Sequence, residues 1–281
     1  VKYISVAGLI FAAAVPGFCQ APHRSLSSLF NSKLAFYLPE PDSTPISSFV
    51  VNTAGGSPTI APNTWLEIHG TQLAQTTMDW SNADFSHGLP ISLGGVSATV
   101  NNKPAAIFYI SPTQINVLAP IDSAAGPVPV MVTTPYGTTA PLNPTEQPIS
   151  LGFLVFDAPN AHIVAQHLPS YTLLGPASLS VPGYTFTPAK PGEFVIFYAT
   201  GFGQTNPPIT DQLSGTGPLP TLPSVTIGGL PAEVKYAGLA SPGLYQLNVI
   251  IPDAAPNGDL PVVATYNGAT TQTGAVITVQ Q

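Results

Sequence analysis

The clearest pattern along the chain is a polar and apolar alternation that occurs twice. Gln114-Ile115-Asn116-Val117 and Gln246-Leu247-Asn248-Val249 each put amides on one face and aliphatic residues on the other, the period of a half-buried strand. Pro120 and Pro252 end these strands, because proline has no N–H to give to a ladder. Gly126 and Gly258 then suit turns with positive φ, after which "VPVMVTT" and "LPVVATY" resume as strands. Upstream, "ATVNNKPAAIFY" answers "VTIGGLPAEVKY", and their central Asn101-Asn102 and Gly228-Gly229 both tolerate a tight left-handed turn. "IHGTQLAQT" likewise answers "YATGFGQTN". The landmarks keep their order while loop lengths differ, as a duplicated domain requires. The pattern predicts an all-β chain built from two tandem β-sandwiches.

The copies differ where they begin. In the first, Trp65, Glu67 and His69 alternate with Leu66 and Ile68; the second replaces the polar face with Phe194, Ile196 and Tyr198. A strand apolar on both faces needs a cover on each. The stretch "PISLGFLVFDAPNAHIVAQHLPSYTLLGPASLSVPGYTFTPAKPGE" has no counterpart in the first copy. It reads as a short meander followed by a Pro-rich arm, and it is expected to cover Ile196 and Tyr198.

Composition sharpens this picture. The 33 prolines and 25 glycines among 281 residues cut the chain into segments short for helices, and 44% hydrophobic content is more than a disordered chain carries. "VKYISVAGLIFAAAVPGFCQA" reads as a secretory signal peptide cleaved near residues 19–21. The bulky Phe18 before Cys19 argues against a lipid anchor there, and as Cys19 is the only cysteine, the mature chain is expected to lack disulfides. The expected organisation is signal peptide 1–21, extension 22–47, first sandwich 48–145, connector 146–190 and second sandwich 191–281. A net charge of −7 with only six Lys and Arg offers no basic stripe for nucleic acid. Nor is a membrane span expected in the mature chain.

"IHGTQLA" and "YATGFGQTNPP" resemble the opening strand and turn of IPT/TIG domains, which are Ig-like (E-set-type) sandwiches. "VSATVNNKPAAIFYISPTQINVLAPIDSAAGPVPVMVTTPYGTT" is similar to the remainder of such a domain. "TPAKPGEFVIFYATGFGQTNPP", "VTIGGLPAEVKYAG" and "PGLYQLNVIIPDAAPNGDLPVV" further resemble the Solibacter-type uncharacterised C-terminal domain of secreted bacterial proteins. The likeness runs from about Val50 to Gln281. It implies a tandem Ig-like fold in an exported protein and carries no assigned catalytic or binding residues. The connector departs from the pattern: "HLPSYTLLGP" stands where relatives tend to have a His-x-Asp-Gly-Ser-Leu turn.

Candidate chemistry is sparse. There is no G-x-S-x-G, no H-E-x-x-H and no usefully spaced carboxylate pair, so no catalytic residue and no cofactor is assigned. His162 and His167, five positions apart on an extended chain, point to opposite faces and are expected in surface or turn roles. Asp253, Asn257 and Asp259 with Gly258 offer oxygens for calcium, although their spacing misses the EF-hand loop. Trp65, Trp80, Phe85 and Tyr136 could form an aromatic platform, but core or loop packing is the commoner role. The loop "TTMDWSNADFSHGLP" gathers Asp79, Trp80, Asn82, Asp84 and His87, and a loop held on a rigid sandwich is the favoured contact surface. The expected function is an exported, non-catalytic module for binding or scaffolding an extracellular or envelope protein. The alternative is a carbohydrate-binding module, and a hydrolase or metal-dependent enzyme using the connector histidines ranks behind both.

Overall fold

A computed structural model describes residues 44–156 and 161–281. The expected signal peptide and Cys19 lie outside the described residues. The protein is all-β and forms two β-domains in tandem; the helical element among the described residues is one 3₁₀ turn, Trp80–Asn82.

Each domain is a sheet curled into two layers by one strand that serves both. In the first, Lys103–Ile110 pairs at its start with Val96–Val100 and at its end with Gln114–Leu118. The sheet continues outward through Trp65–Thr71 to the edge strand Ile46–Asn52 on one side, and through Val130–Thr134 to Gly137–Thr138 on the other. In the second domain the twelve-residue strand Leu230–Ser241 does the same, pairing with Ser224–Ile227 and then with Leu244–Ile250. Strands that change layer make the corners of a sandwich.

The alternation read from the sequence sets these layers facing each other. Ile115 and Val117 enter one core with Ile68, Val100 and Val130; Leu247 and Val249 enter another with Val195, Phe197 and Ile277. The hairpins are closed by Asn101 and Asn102 (φ 50° and 61°) and by Gly228 and Gly229 (φ 60° and 79°). Two successive left-handed residues make the turn whose twist matches the flanking strands.

The connector does more than cover. Gly152–Phe153 and Ala165–His167 pair directly with Phe194–Thr200, and Leu173–Leu174 and Phe186–Thr187 extend the sheet beyond them. Its Leu154 and Val164 lie against Ile196 and Tyr198, which are 2% and 4% exposed. The cover stops short of Phe194, which stays 38% exposed beside the turn that follows His167.

Directional bonds join the two domains. Trp65 Nε1 donates to Pro242 O at 2.8 Å, and Gly243 sits so close that an added Cβ would lie 2.5 Å from Leu118 Cδ1. Gln212 Nε2 donates to Asn63 Oδ1 (3.0 Å) and Ala119 O (2.8 Å). Asn52 Nδ2 of the first domain also holds the connector, donating to Ser150 O at 2.6 Å.

Candidate functional site

Strand register builds an organised surface on the outer layer of the first domain. One rung sets Val51, Glu67, Asn116, Tyr109 and Asp79 side by side across five strands. The next holds Phe49, His69 and Gln114. Directly paired residues share a face, while the intervening Ile68, Ile115 and Val117 point into the core.

The exposed Phe49 ring stacks on the His69 imidazole, with centroids 4.5 Å apart and planes 15° from parallel. His69 Nε2 lies 3.0 Å from Glu67 Oε2, and Gln114 Nε2 donates to Asn116 Oδ1 at 2.8 Å. Burial raises the Glu67 carboxyl above its ordinary value, and the His69 contact partly offsets this. The face thus presents a flat ring, a carboxylate and two amides in fixed array, able to stack on one ligand surface and hydrogen-bond another.

The predicted loop residues divide around this face. Asp79 closes the 3₁₀ turn by accepting from Ser81 N (2.9 Å), and with Asn82, Met78 and Tyr109 it borders a depression of about 490 Å³. Trp80 turns inward, meeting Trp65, Phe85 and Phe108 edge-to-face at interplanar angles of 78°, 76° and 81°. These rings cannot act as one coplanar platform, and Tyr136 lies apart on the turn before Gly137. Asp84 and His87 serve their own turn through Ser86, whose N–H and hydroxyl hold the Asp84 carboxyl below its usual range. Phe49, Glu67, His69, Gln114, Asn116 and Tyr109 were not assigned from sequence as a site. The signal was present in the polar face of Trp65–His69, which the second copy lacks.

The second domain keeps the same amide pair, Gln246 Nε2 donating to Asn248 Oδ1 at 2.6 Å. There the neighbouring Tyr198 donates to Gln166 Oε1 of the connector at 2.7 Å, and burial pushes its hydroxyl up to about 12. One copy of the face is therefore open and the other occupied by the chain itself.

The connector histidines are not at the surface as expected. His162 and His167 are 4% and 8% exposed, and each ring faces a carboxylate from elsewhere in the chain. His162 Nε2 lies 3.4 Å from Asp259 Oδ1; His167 Nδ1 lies 2.6 Å from Glu193 Oε1, with Thr187 at its Nε2. Asp259 also accepts from Thr278 Oγ1 (2.6 Å), Asn257 Oδ1 accepts from Gln281 N (2.7 Å), and Asp253 packs over Gly192. Among the described residues no three His, Cys, Asp or Glu side chains gather as metal ligands. A further cleft of about 410 Å³ lies between the domains, lined by Asn63, Ile149, Phe202, Thr205 and Tyr266 among others.

No family model matches the chain, and no curated protein matches it. Solved structures give faint likenesses. The plexin A4 extracellular region is 15% identical, with 94% of this chain and 18% of that chain covered and a TM-score of 0.29. The surface glycan-binding protein PbSGBP-B from Prevotella bryantii is 12% identical over 82% of this chain and 41% of its own, with a TM-score of 0.24. The Bacteroides ovatus mixed-linkage glucan utilization locus SGBP-B, solved with a mixed-linkage heptasaccharide, is 10% identical over 79% and 44%, with a TM-score of 0.31. The chain spans less than half the length of each. Identities and scores this low leave the ligand to be argued from the site itself.

Proposed function

We propose that the chain is a non-catalytic binding module of an exported protein, a tandem of IPT/TIG-type sandwiches that holds a glycan on the outer face of its first domain. Residues 48–145 and 191–281 are the two sandwiches in this reading, with 146–190 folding onto the second. The observation that carries it is the asymmetry between the two copies: equivalent face positions are covered by the connector in one and left open in the other. The open copy alone combines an exposed ring with a carboxylate and an amide pair. A ring stacked by its neighbour and flanked by hydrogen-bonding groups suits a sugar, which offers an apolar C–H face and a rim of hydroxyls. The Bacteroides ovatus protein was solved with a glucan oligosaccharide; the same ligand class is proposed here on the strength of the face alone.

Affinity electrophoresis of the folded chain through a panel of soluble polysaccharides tests the reading. Retardation by at least one polymer, abolished by F49A or H69A with thermal stability unchanged, is the expected result. No retardation by any polymer, or retardation indifferent to both substitutions, would overturn it. A protein captured from native envelope through the same two residues would instead establish the scaffolding function.

A further inference from the structure

Register fixes how far the open face extends. The strands Ile46–Asn52, Trp65–Thr71, Gln114–Leu118, Lys103–Ile110 and Met78–Asp79 lie side by side in that order. Phe49 is on the first of these and Asp79 on the last. The interstrand steps between them, of about 4.8 Å each, add up to about 19 Å. The stacked Phe49 and His69 rings mark one end of this span. Its middle is a row of hydrogen-bonding groups, Glu67 and Asn116, with Tyr109 beyond them.

The far end is concave. Met78, Asp79, Asn82, Leu93 and Tyr109 border the depression of about 490 Å³. Met78 is 40% exposed there, and Asp79 and Asn82 beside it are exposed as well. An apolar surface flanked by a carboxylate and an amide therefore recurs at both ends of the span. The rim is fixed, because Trp80 packs against Trp65, Phe85 and Phe108 and Asp79 caps the 3₁₀ turn that carries Asn82.

The charges on this face have one sign. Glu67 and Asp79 are acids, and His69 is held against Glu67 at 3.0 Å, so it offers no net positive charge. The lysines among the described residues lie elsewhere: Lys103 pairs with Asp122, Lys235 pairs with Glu233, and Lys190 precedes the strand Phe194–Thr200 of the second domain. Acceptors without a cation suit hydroxyl groups and repel carboxylate or sulfate.

Resting on the glycan reading above, we propose that the ligand is an extended, uncharged glycan segment that crosses the strands, one end on Phe49 and the other in the depression beside Met78 and Asn82. A pyranose advances an extended glycan by about one interstrand spacing, so the face takes about four or five sugars. Met78, Asp79, Asn82 and Tyr109 then form the far subsite, which decides the length of chain that is bound.

Isothermal titration of the folded chain with neutral gluco- and manno-oligosaccharides of two to six units tests the proposal. Affinity should climb with each unit and level off after the fourth or fifth, the pentamer binding at least about tenfold more tightly than the dimer. M78A and N82A should bring pentamer binding down towards that of the dimer with the melting temperature unchanged, whereas F49A should weaken both. Oligogalacturonides of the same lengths should bind at least about tenfold more weakly than the neutral series. D79N, which keeps an oxygen for Ser81 N but carries no charge, should narrow that gap. A pentamer no tighter than the dimer, or oligomers that fail while a polymer still retards the chain, overturns the extended site and leaves the glycan reading standing. Acidic oligomers bound as well as neutral ones overturn the requirement for an uncharged ligand. Silence at every length, with no polymer retarding the chain, defeats the glycan reading itself.

Discussion

Trp65 Nε1 donates to Pro242 O at 2.8 Å, so the opening strand of the first domain is bonded to a hairpin turn of the second. The next residue in that turn, Gly243, has φ +65° and would bring a Cβ within 2.7 Å of the Trp65 ring. Gly229 has a similar φ, +79°, but nothing within 4 Å of its missing Cβ. G229A should therefore cost only the backbone strain, about 1 kcal/mol. G243A adds a packing clash and should cost roughly 2–4 kcal/mol. Paired denaturant titrations of the two variants measure the difference, which is the cost of crowding the domain junction at Gly243.

Covered and open faces should respond differently to truncation. Ile196 is 2% exposed under the connector, and I196A should destabilise by about 2–4 kcal/mol. Phe49 is 51% exposed, and F49A should stay within about 0.5 kcal/mol of the parent. Thermal melts decide this; a large loss from F49A would mean the face is structural.

Gln272 acts as a piece of strand. Its Nε2 donates to Phe153 O at 2.7 Å, and its Oε1 accepts from Phe153 N at 2.9 Å. Phe153 is fully buried, so Q272A leaves a backbone N–H and carbonyl without partners and should cost about 2–4 kcal/mol. Hydrogen exchange at Phe153 should accelerate before global unfolding does.

Stability should fall as pH rises through the range set by Glu146. Burial, reinforced by the negative charge of Asp122, lifts its carboxyl from 4.5 to about 7, against the pull of Lys103. Between those values the folded chain binds more protons than the unfolded one, so this contribution is complete below pH 4.5 and lost by about pH 7. E146V, which removes the titrating carboxyl, should flatten the profile. Urea midpoints across pH 4 to 8 check both.

Local chemistry made the fold legible. The alternation at Gln114–Val117 and Gln246–Val249, the prolines that stop it and the left-handed pairs at Asn101 and Gly228 each specify a strand or a turn without help from elsewhere. The site was less legible, because it depends on which strands lie side by side. Phe49 reaches His69 only through a register shift between Ser47 and Phe49 on the edge strand, and no pattern within "ISSFVVN" announces that. Glu146 sits in "NPTEQP", where flanking prolines read as loop and only a two-residue strand forms. The histidines were misjudged because their carboxylate partners, Asp259 and Glu193, lie far along the chain.

The strand Leu230–Ser241 belongs to both layers of the second sandwich. Sliding one layer over the other would have to shear ladder bonds at one end of that strand or the other, with no loop between the layers to take up slack. The two layers therefore resist shear through continuous paired backbone rather than through a flexible link.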